Sequence, residues 1–464
     1  MSLSGSRAAR RRFFGIAALA AAAIAGGCAA PAPSVEARPP IVFVHGNGDS
    51  AALWTTTIWR FESNGWPRER LHAVDVPYPL ARDDDAKPQP GRTSAAENAA
   101  HLAAEVDRVL ARTGASKVVL IGNSRGGIAI RSYVAHGGAA KVSAAILGGA
   151  PNHGVWNDPT FAPGSEFNGA GPVLTALNAP QGPEGLEVTP GVRWMTVRSD
   201  SNDKYAQPDG VWLGRRGTPT HVTAEGPALK GADNIVIPGT DHRETSYGRA
   251  AFAADWRFLT GAEPSTPDVV PEARVVLDGK VSGLGVNNAQ GNEATNLPLA
   301  GATLEVYPTD PATGARRGAA VHAKTIGADG RWGPFQADPK ATYEFVVTMP
   351  GYAIAHIYRS PFPRSSSVVN FRAERVAEAD RDAGAIVVLS RPRGYFGVPR
   401  NRIVLDGKEP PSGIPRGVAG VSTAKAKLPD ATVRTIVGEF DGERIAGRTW
   451  PLSHQHTVTL ELTY

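Results

Sequence analysis

The chain of 464 residues contains a single cysteine, Cys28. No intramolecular disulfide can form, and no metal site built on several thiolates is available. Other ligand types do not compensate by clustering. Asp83-Asp84-Asp85 is a charge run in a loop, and no glycine-containing loop closed by a glutamate follows it, so it reads as solvated rather than as a calcium site. A phosphate-cradling glycine pattern is missing after the first strand. Neither a metal nor an organic cofactor is expected. Long apolar runs are missing beyond residue 28, which leaves no candidate membrane span in the body of the chain. A charge excess is missing there too. The net charge is +5, but Arg7, Arg10, Arg11 and Arg12 precede residue 28 with no acidic partner, and removing these four leaves +1 for the rest. A near-neutral body argues against nucleic acid as the main partner.

What is present is the composition of a folded protein, 42% hydrophobic and 20% charged, long enough for two or three domains. Residues 1–28 read as an export signal. Arg11-Arg12-Phe13-Phe14 fits the twin-arginine pattern, and the Ala-rich apolar run at 13–27 is too short to span a bilayer comfortably. Cys28 follows Gly26-Gly27 in a segment that resembles the lipobox of bacterial lipoproteins, with Ala25 where leucine is usual. That resemblance implies acylation at Cys28; the alternative is an ordinary signal-peptidase site in the Ala-rich stretch beyond. The expected location is periplasmic, outer-membrane-anchored or extracellular. Residues 29–39, rich in Pro and Ala, form a tether.

Between residues 40 and 261 six short apolar runs, at 41–44, 71–76, 117–121, 142–147, 192–197 and 234–237, read as buried parallel strands. Helical patterns lie between several of them. Residues 53–63 carry Trp54, Ile58 and Phe61 on one face and stop at Gly65. Residues 94–113 open with a capping box, Ser94-x-x-Glu97, repeat apolar residues at Leu102, Val106, Val109 and Leu110, and end at Gly114. Alternating β and α of this kind predicts an α/β fold, a doubly wound and mostly parallel sheet of about six strands. Two connections, 77–93 and 155–190, are rich in Pro, Gly and Asp and longer than folding requires; each is a lid or a surface loop. Residues 262–271 read as a linker. Beyond it the pattern is β throughout, a sandwich or barrel region divided at 272–375 and 376–464, with RVVLDGK at Arg274 and RIVLDGK at Arg402 as two similar strand–turn units.

The chemistry centres on Gly122-Asn123-Ser124-Arg125-Gly126, a G-x-S-x-G between an apolar strand and a helix-compatible segment. A serine on such a sharp turn is exposed at the strand's carboxyl end, and the flanking glycines allow the close backbone approach that the turn demands. A serine hydroxyl needs a base, and the base needs an orienting acid. His242 follows the last strand and precedes a helix, which is the position for the base; His221 has no strand feeding it, and His136 and His153 come too early in chain order. For the acid, the loop after the fifth strand offers Asp203 first and Asp200 second, with Asp209 beyond. Two preorganised N–H donors are also required. They are assigned to the main chains of Arg125, which follows the serine, and of Asn47, in the His45-Gly46-Asn47-Gly48 loop after the first strand. Trp54, Trp59 and Trp66 are pocket or core residues, and aromatic residues at helical spacing favour core.

Together the IVFVHGNG stretch at 41–48, the G-x-S-x-G, the Asp203 loop and His242 resemble the lipase and esterase branch of the α/β-hydrolase superfamily, over about residues 40–261. Ala206 replaces the valine usual in the D-x-x-V-x-P acid loop, and Ala150-Pro151-Asn152-His153-Gly154 is similar to a segment these lipases carry after the next strand. The order PLAGATLEVYP…GADGRWGPF…TYEFVVTMPGY resembles prealbumin-like β-sandwiches, and the whole resembles a group of prokaryotic lipases with an all-β C-terminal region. The resemblance implies a serine carboxylic ester hydrolase acting on ester or lipid substrates, with lipid-surface contact through the β region and through Cys28. A polyester depolymerase is the neighbouring alternative. A surface binding protein that keeps a degenerate hydrolase core is the alternative of another class.

Overall fold

The computed structural model describes residues 38–287 and 292–464. Cys28, the twin-arginine segment and most of the expected tether lie outside the described residues. Six strands form one sheet, β1 (Ile41–Val44), β2 (Leu71–Ala73), β3 (Val118–Asn123), β4 (Val142–Gly148), β5 (Arg193–Arg198) and β6 (Asp233–Val236). Their order is β2-β1-β3-β4-β5-β6, and every neighbouring pair is parallel. The helices are α1 (Thr55–Ser63), α2 (Ala95–Thr113), α3 (Arg125–Ala135) and α4 (Arg249–Thr260), with the short helix Glu244–Tyr247 before the last.

Side chains alternate across a strand, and the sheet uses both faces. Val42, Val44, Val118 and Leu120 pack with Leu102 and Val106 of α2 and Ile130 and Val134 of α3. Ile41, Phe43, Val119 and Ile121 point the other way, onto Phe61 of α1 and Phe252 and Trp256 of α4. Central strands buried on both faces explain the continuous apolar runs. At the edge the pattern relaxes: β6 is only partly buried, with Val236 45% exposed, so the expectation of six fully buried strands fails there. The second strand is also shorter than its apolar run, because the chain beyond it bonds to the loop after β1. Asp75 accepts from the N–H of Ala51, and Val76 N–H donates to His45 Nε2. The α2 capping box is formed from both sides, with Gly114 closing the helix in the left-handed conformation.

The C-terminal region is built on a seven-stranded sheet in the order His322–Thr325, Thr303–Thr309, Thr342–Thr348, Ile354–Arg359, His456–Glu461, Ala385–Ser390, Thr423–Leu428. Its pairings are antiparallel except at His456–Glu461, which lies parallel to both neighbours. Residues 376–464 therefore complete the sheet that residues 303–359 begin. The two similar strand–turn units behave alike, each ending in an aspartate that holds an arginine, Asp278 with Arg331 and Asp406 with Arg434.

The two regions are joined by more than the linker. Trp59 of α1 is buried in the C-terminal apolar core and donates from Nε1 to Ser365 O at 2.8 Å. Asn64 and Arg60 bond to Thr266 O and Pro267 O, so the linker lies fixed along α1. Trp54 and Trp66 are buried within the first region. All three tryptophans are thus core residues, and the wall of the functional pocket is made by others.

Candidate active site

Ser124 sits between β3 and α3 with φ 53° and ψ −121°, a conformation that only a few non-glycine residues adopt. The flanking glycines explain how the turn closes. A Cβ on Gly126 would meet Val44 O at 2.4 Å, and one on Gly122 would meet the Gly126 carbonyl carbon at 2.9 Å. No side chain caps this end of α3, which leaves its first-turn N–H groups, that of Arg125 included, without a side-chain partner. Such an uncapped helix start favours negative charge.

His242 is buried and follows β6 by a short turn. Its Nδ1 lies 2.9 Å from Asp203 Oδ2 and 3.0 Å from Oδ1. The other ring nitrogen, Nε2, is buried with no hydrogen-bond partner among the described residues, and the ring stands edge-on to Tyr205 at 4.5 Å. Asp200 is engaged elsewhere, accepting from the N–H groups of Gly239 and Ser201. Between the two first candidates for the acid, the carboxylate brought to His242 is therefore that of Asp203. Asp209 accepts from the N–H of Val211. His153 pairs with Glu187 and His136 bonds to Ser132 O, both away from the serine.

Ser124, His242 and Asn47 line one cavity of about 480 Å³. Asn47 ties the cavity wall to the first long loop through its side chain, whose Oδ1 accepts from Ala81 N–H at 2.7 Å. His45 is structural. Its Nδ1 bonds to Gly46 O and its Nε2 accepts from Val76 N–H, and burial pushes its pKa down, so the ring is neutral.

Several contributors to this site were not identified from the sequence, though the two long loops, read there as lids or surface loops, do reach the cavity, through Ala81 and Arg82 of one and Trp156, Phe161 and Phe167 of the other. One side chain ties both down. The buried Arg125 guanidinium pairs with Glu166 in the second loop and donates to Pro79 O and Thr93 O at the two ends of the first. Of the charge run Asp83-Asp84-Asp85, Asp83 is exposed as expected, whereas Asp85 accepts from the N–H of Ala95 at the start of α2. A second missed feature was readable: Asp241-His242-Arg243-Glu244 is a capping box. Asp241 Oδ1 accepts from Glu244 N–H, and Glu244 Oε2 accepts from Asp241 N–H. The third, Tyr395, comes from the C-terminal region to line the cavity, and only tertiary structure brings it there. Among the described residues no group of three or more histidines, cysteines and carboxylates could hold a metal ion, and no described helix is long and apolar enough to cross a membrane.

Residues 39–172 match the family model described as the alpha/beta hydrolase fold, and residues 273–376 match that of the lipase C-terminal domain. A non-heme haloperoxidase of Rhodococcus erythropolis is 31% identical over 112 residues, covering 24% of this chain and 36% of that protein. The chain thus spans about a third of the length of that curated relative. Among solved structures, a Bacillus licheniformis lipase in mature form is similar at 22% identity and a TM-score of 0.35, over 48% of this chain and 93% of that one. Aspergillus fumigatus lipase B is similar at 14% identity and a TM-score of 0.34, over 50% of this chain and 54% of that one.

Proposed function

From a chain that joins an alpha/beta hydrolase fold to a lipase C-terminal domain, we propose a carboxylic ester hydrolase that works through an acyl-enzyme. The observation that carries this reading is Ser124 on its strained turn, sharing a cavity with a histidine whose Nδ1 is held by Asp203. Ser124 Oγ attacks the ester carbonyl while His242 Nε2 takes its proton. The imidazolium that forms is stabilised by Asp203, and the tetrahedral oxyanion by the main-chain N–H groups of Asn47 and Arg125. His242 then protonates the leaving alcohol, and water activated by the same histidine releases the acid.

The bare Nε2 and the uncapped start of α3 both favour this reading, since an unpartnered ring nitrogen can take a proton and an uncapped helix start favours negative charge. Apolar cavity residues such as Val155, Phe161 and Phe167 suit an acyl chain. Contact with a lipid surface through the C-terminal region, and export with acylation at Cys28, belong to the same reading and rest on sequence motifs. Incorporation of radiolabelled palmitate that is lost in Cys28→Ala tests the acylation.

The reading is tested with soluble short-chain esters, emulsified triglyceride and polyester film offered to the whole protein. Hydrolysis of at least one, abolished in Ser124→Ala, is expected. Peroxide-dependent halide oxidation without ester cleavage would replace the reading with that of the haloperoxidase relative. Film cleavage exceeding that of the soluble esters would favour the depolymerase.

A further inference from the structure

The turn that carries His242 is held from outside the hydrolase domain. Asp241, the residue before the histidine, has a fully buried carboxylate whose two oxygens are divided between the two regions. Oδ1 accepts from the N–H groups of Arg243 and Glu244 within its own turn. Among the described residues Oδ2 accepts only from the C-terminal region: from Tyr395 N–H at 2.7 Å, Arg391 Nη1 at 3.0 Å and Arg400 Nη1 at 3.2 Å. Arg391 also bridges to Glu244 Oε1 at 2.5 Å, closing over both members of the capping box. The guanidinium is itself anchored, lying 4.3 Å from the Phe440 ring in the C-terminal core and donating to Tyr395 O at 2.7 Å.

The acid loop is gripped from the same side. Asn202 Oδ1 accepts from Ala419 N–H at 3.0 Å, and Lys204 Nζ donates to Gly420 O at 2.9 Å while lying 4.0 Å from the Tyr395 ring. These are the neighbours of Asp203 on either side. Both halves of the His242–Asp203 pair thus sit on loops whose adjacent residues are fastened to residues 391–420.

We propose that Arg391 is a positioning residue for the hydrolytic reaction: the C-terminal region holds the histidine and its acid in register through Arg391 and Asp241. The proposal rests on the serine-hydrolase reading above. An imidazole displaced by about 1 Å from its productive place loses on the order of a hundredfold in rate. A loosened His242 turn therefore acts on kcat and leaves the cavity, and with it KM, largely unchanged. The division of labour also explains why a β region with a core of its own is fastened so closely beside the serine.

The test uses the full-length protein, a soluble short-chain ester, and active-site titration with a fluorophosphonate so that kcat is expressed per titratable serine. Arg391→Met is expected to lower kcat by ~20- to 100-fold with KM changed less than ~3-fold. Arg391→Lys keeps the charge but cannot bridge both carboxylates, and recovers part of the loss. Arg402→Met removes an exposed arginine of the same region, paired only with Glu409 and Glu439, and leaves kcat unchanged. If Arg391→Met does not fold, Arg391→Lys carries the test, with at least a ~5-fold loss in kcat expected. Wild-type kcat in a folded Arg391 variant, or a loss that vanishes once normalised to titratable serine, would overturn the proposal while leaving the hydrolase reading intact. Failure of the wild-type protein to label at Ser124 would remove that reading, and the proposal with it.

Discussion

The two sheets of this protein solve the same packing problem in opposite ways. The first is wholly parallel, buried at its centre on both faces, and gathers its polar residues at one end, where the strands hand over to loops. The second is mainly antiparallel and becomes continuous only when the last strand, His456–Glu461, returns between Ile354–Arg359 and Ala385–Ser390. A parallel sheet must send each crossover back across a face, so every strand ends on the same side and the loops there converge. That convergence explains why Asn47, Ser124, Asp203 and His242 come from four separate strand ends. The antiparallel sheet has no such end. Its contribution is lateral, through loops that fasten onto the turns of the first.

Substitutions of decreasing consequence sharpen this contrast. Asp203→Asn removes the carboxylate that holds His242 and is expected to lower kcat/KM by about three orders of magnitude or more, whereas Asp200→Asn costs less than about tenfold. Equal losses would break the assignment of the acid. Next comes Arg125→Met, which strands the buried Glu166 and frees both cavity loops. Loss of one partner from a buried ion pair costs about 3–5 kcal/mol. Urea denaturation should report it, and a midpoint equal to that of the unaltered protein would show that the loops hold themselves.

The two regions should also respond to pH in opposite directions. Asp255 in α4 is buried with neither carboxylate oxygen bonded among the described residues, and burial raises its pKa well above 3.8. The folded state therefore keeps a proton that the unfolded state releases, and stability from this site falls as pH rises above 3.8. Asp255→Asn should raise Tm more at pH 8 than at pH 4. In the C-terminal sheet, His456 bonds to His356 at 2.7 Å, and burial together with its neighbour lowers its pKa to about 4. Here the unfolded state takes up the proton first, so stability is lost as pH falls from 6.5 towards 4. His456→Gln should flatten that acid limb in thermal melts, by a smaller amount because the ring is partly exposed. Acid sensitivity unchanged in His456→Gln would assign the limb to other groups.

How much of this was legible in the sequence follows from the range over which each feature is determined. Strand β1 matches its apolar run at both ends, and Ser94, Glu97 and Gly114 mark α2 because capping is a matter of three or four residues. The serine turn is equally local, since Gly122 and Gly126 are required by its own geometry. The second strand ends early because His45 and Ala51 claim the backbone and side chain that follow it, and no window of residues 71–76 contains that information. The spacing before Pro208 already puts Asp203 ahead of Asp200, and the folded loop brings that carboxylate to His242 while Asp200 is held by Gly239. The part played by Tyr395, more than 150 residues beyond His242, lay outside local reading altogether. Asp241-x-x-Glu244 is the exception, a local signal that went unread beside the histidine it supports.

Whether Ser124 is a nucleophile activated by its setting, or only a residue in a glycine-rich turn, is decided by incubating the full-length protein with a fluorophosphonate and mapping the adduct by peptide mass spectrometry. One adduct per chain is expected, on Ser124, formed with parallel loss of esterase activity and suppressed in His242→Ala. An unlabelled Ser124 in a folded protein, or activity that survives complete labelling, would contradict that expectation.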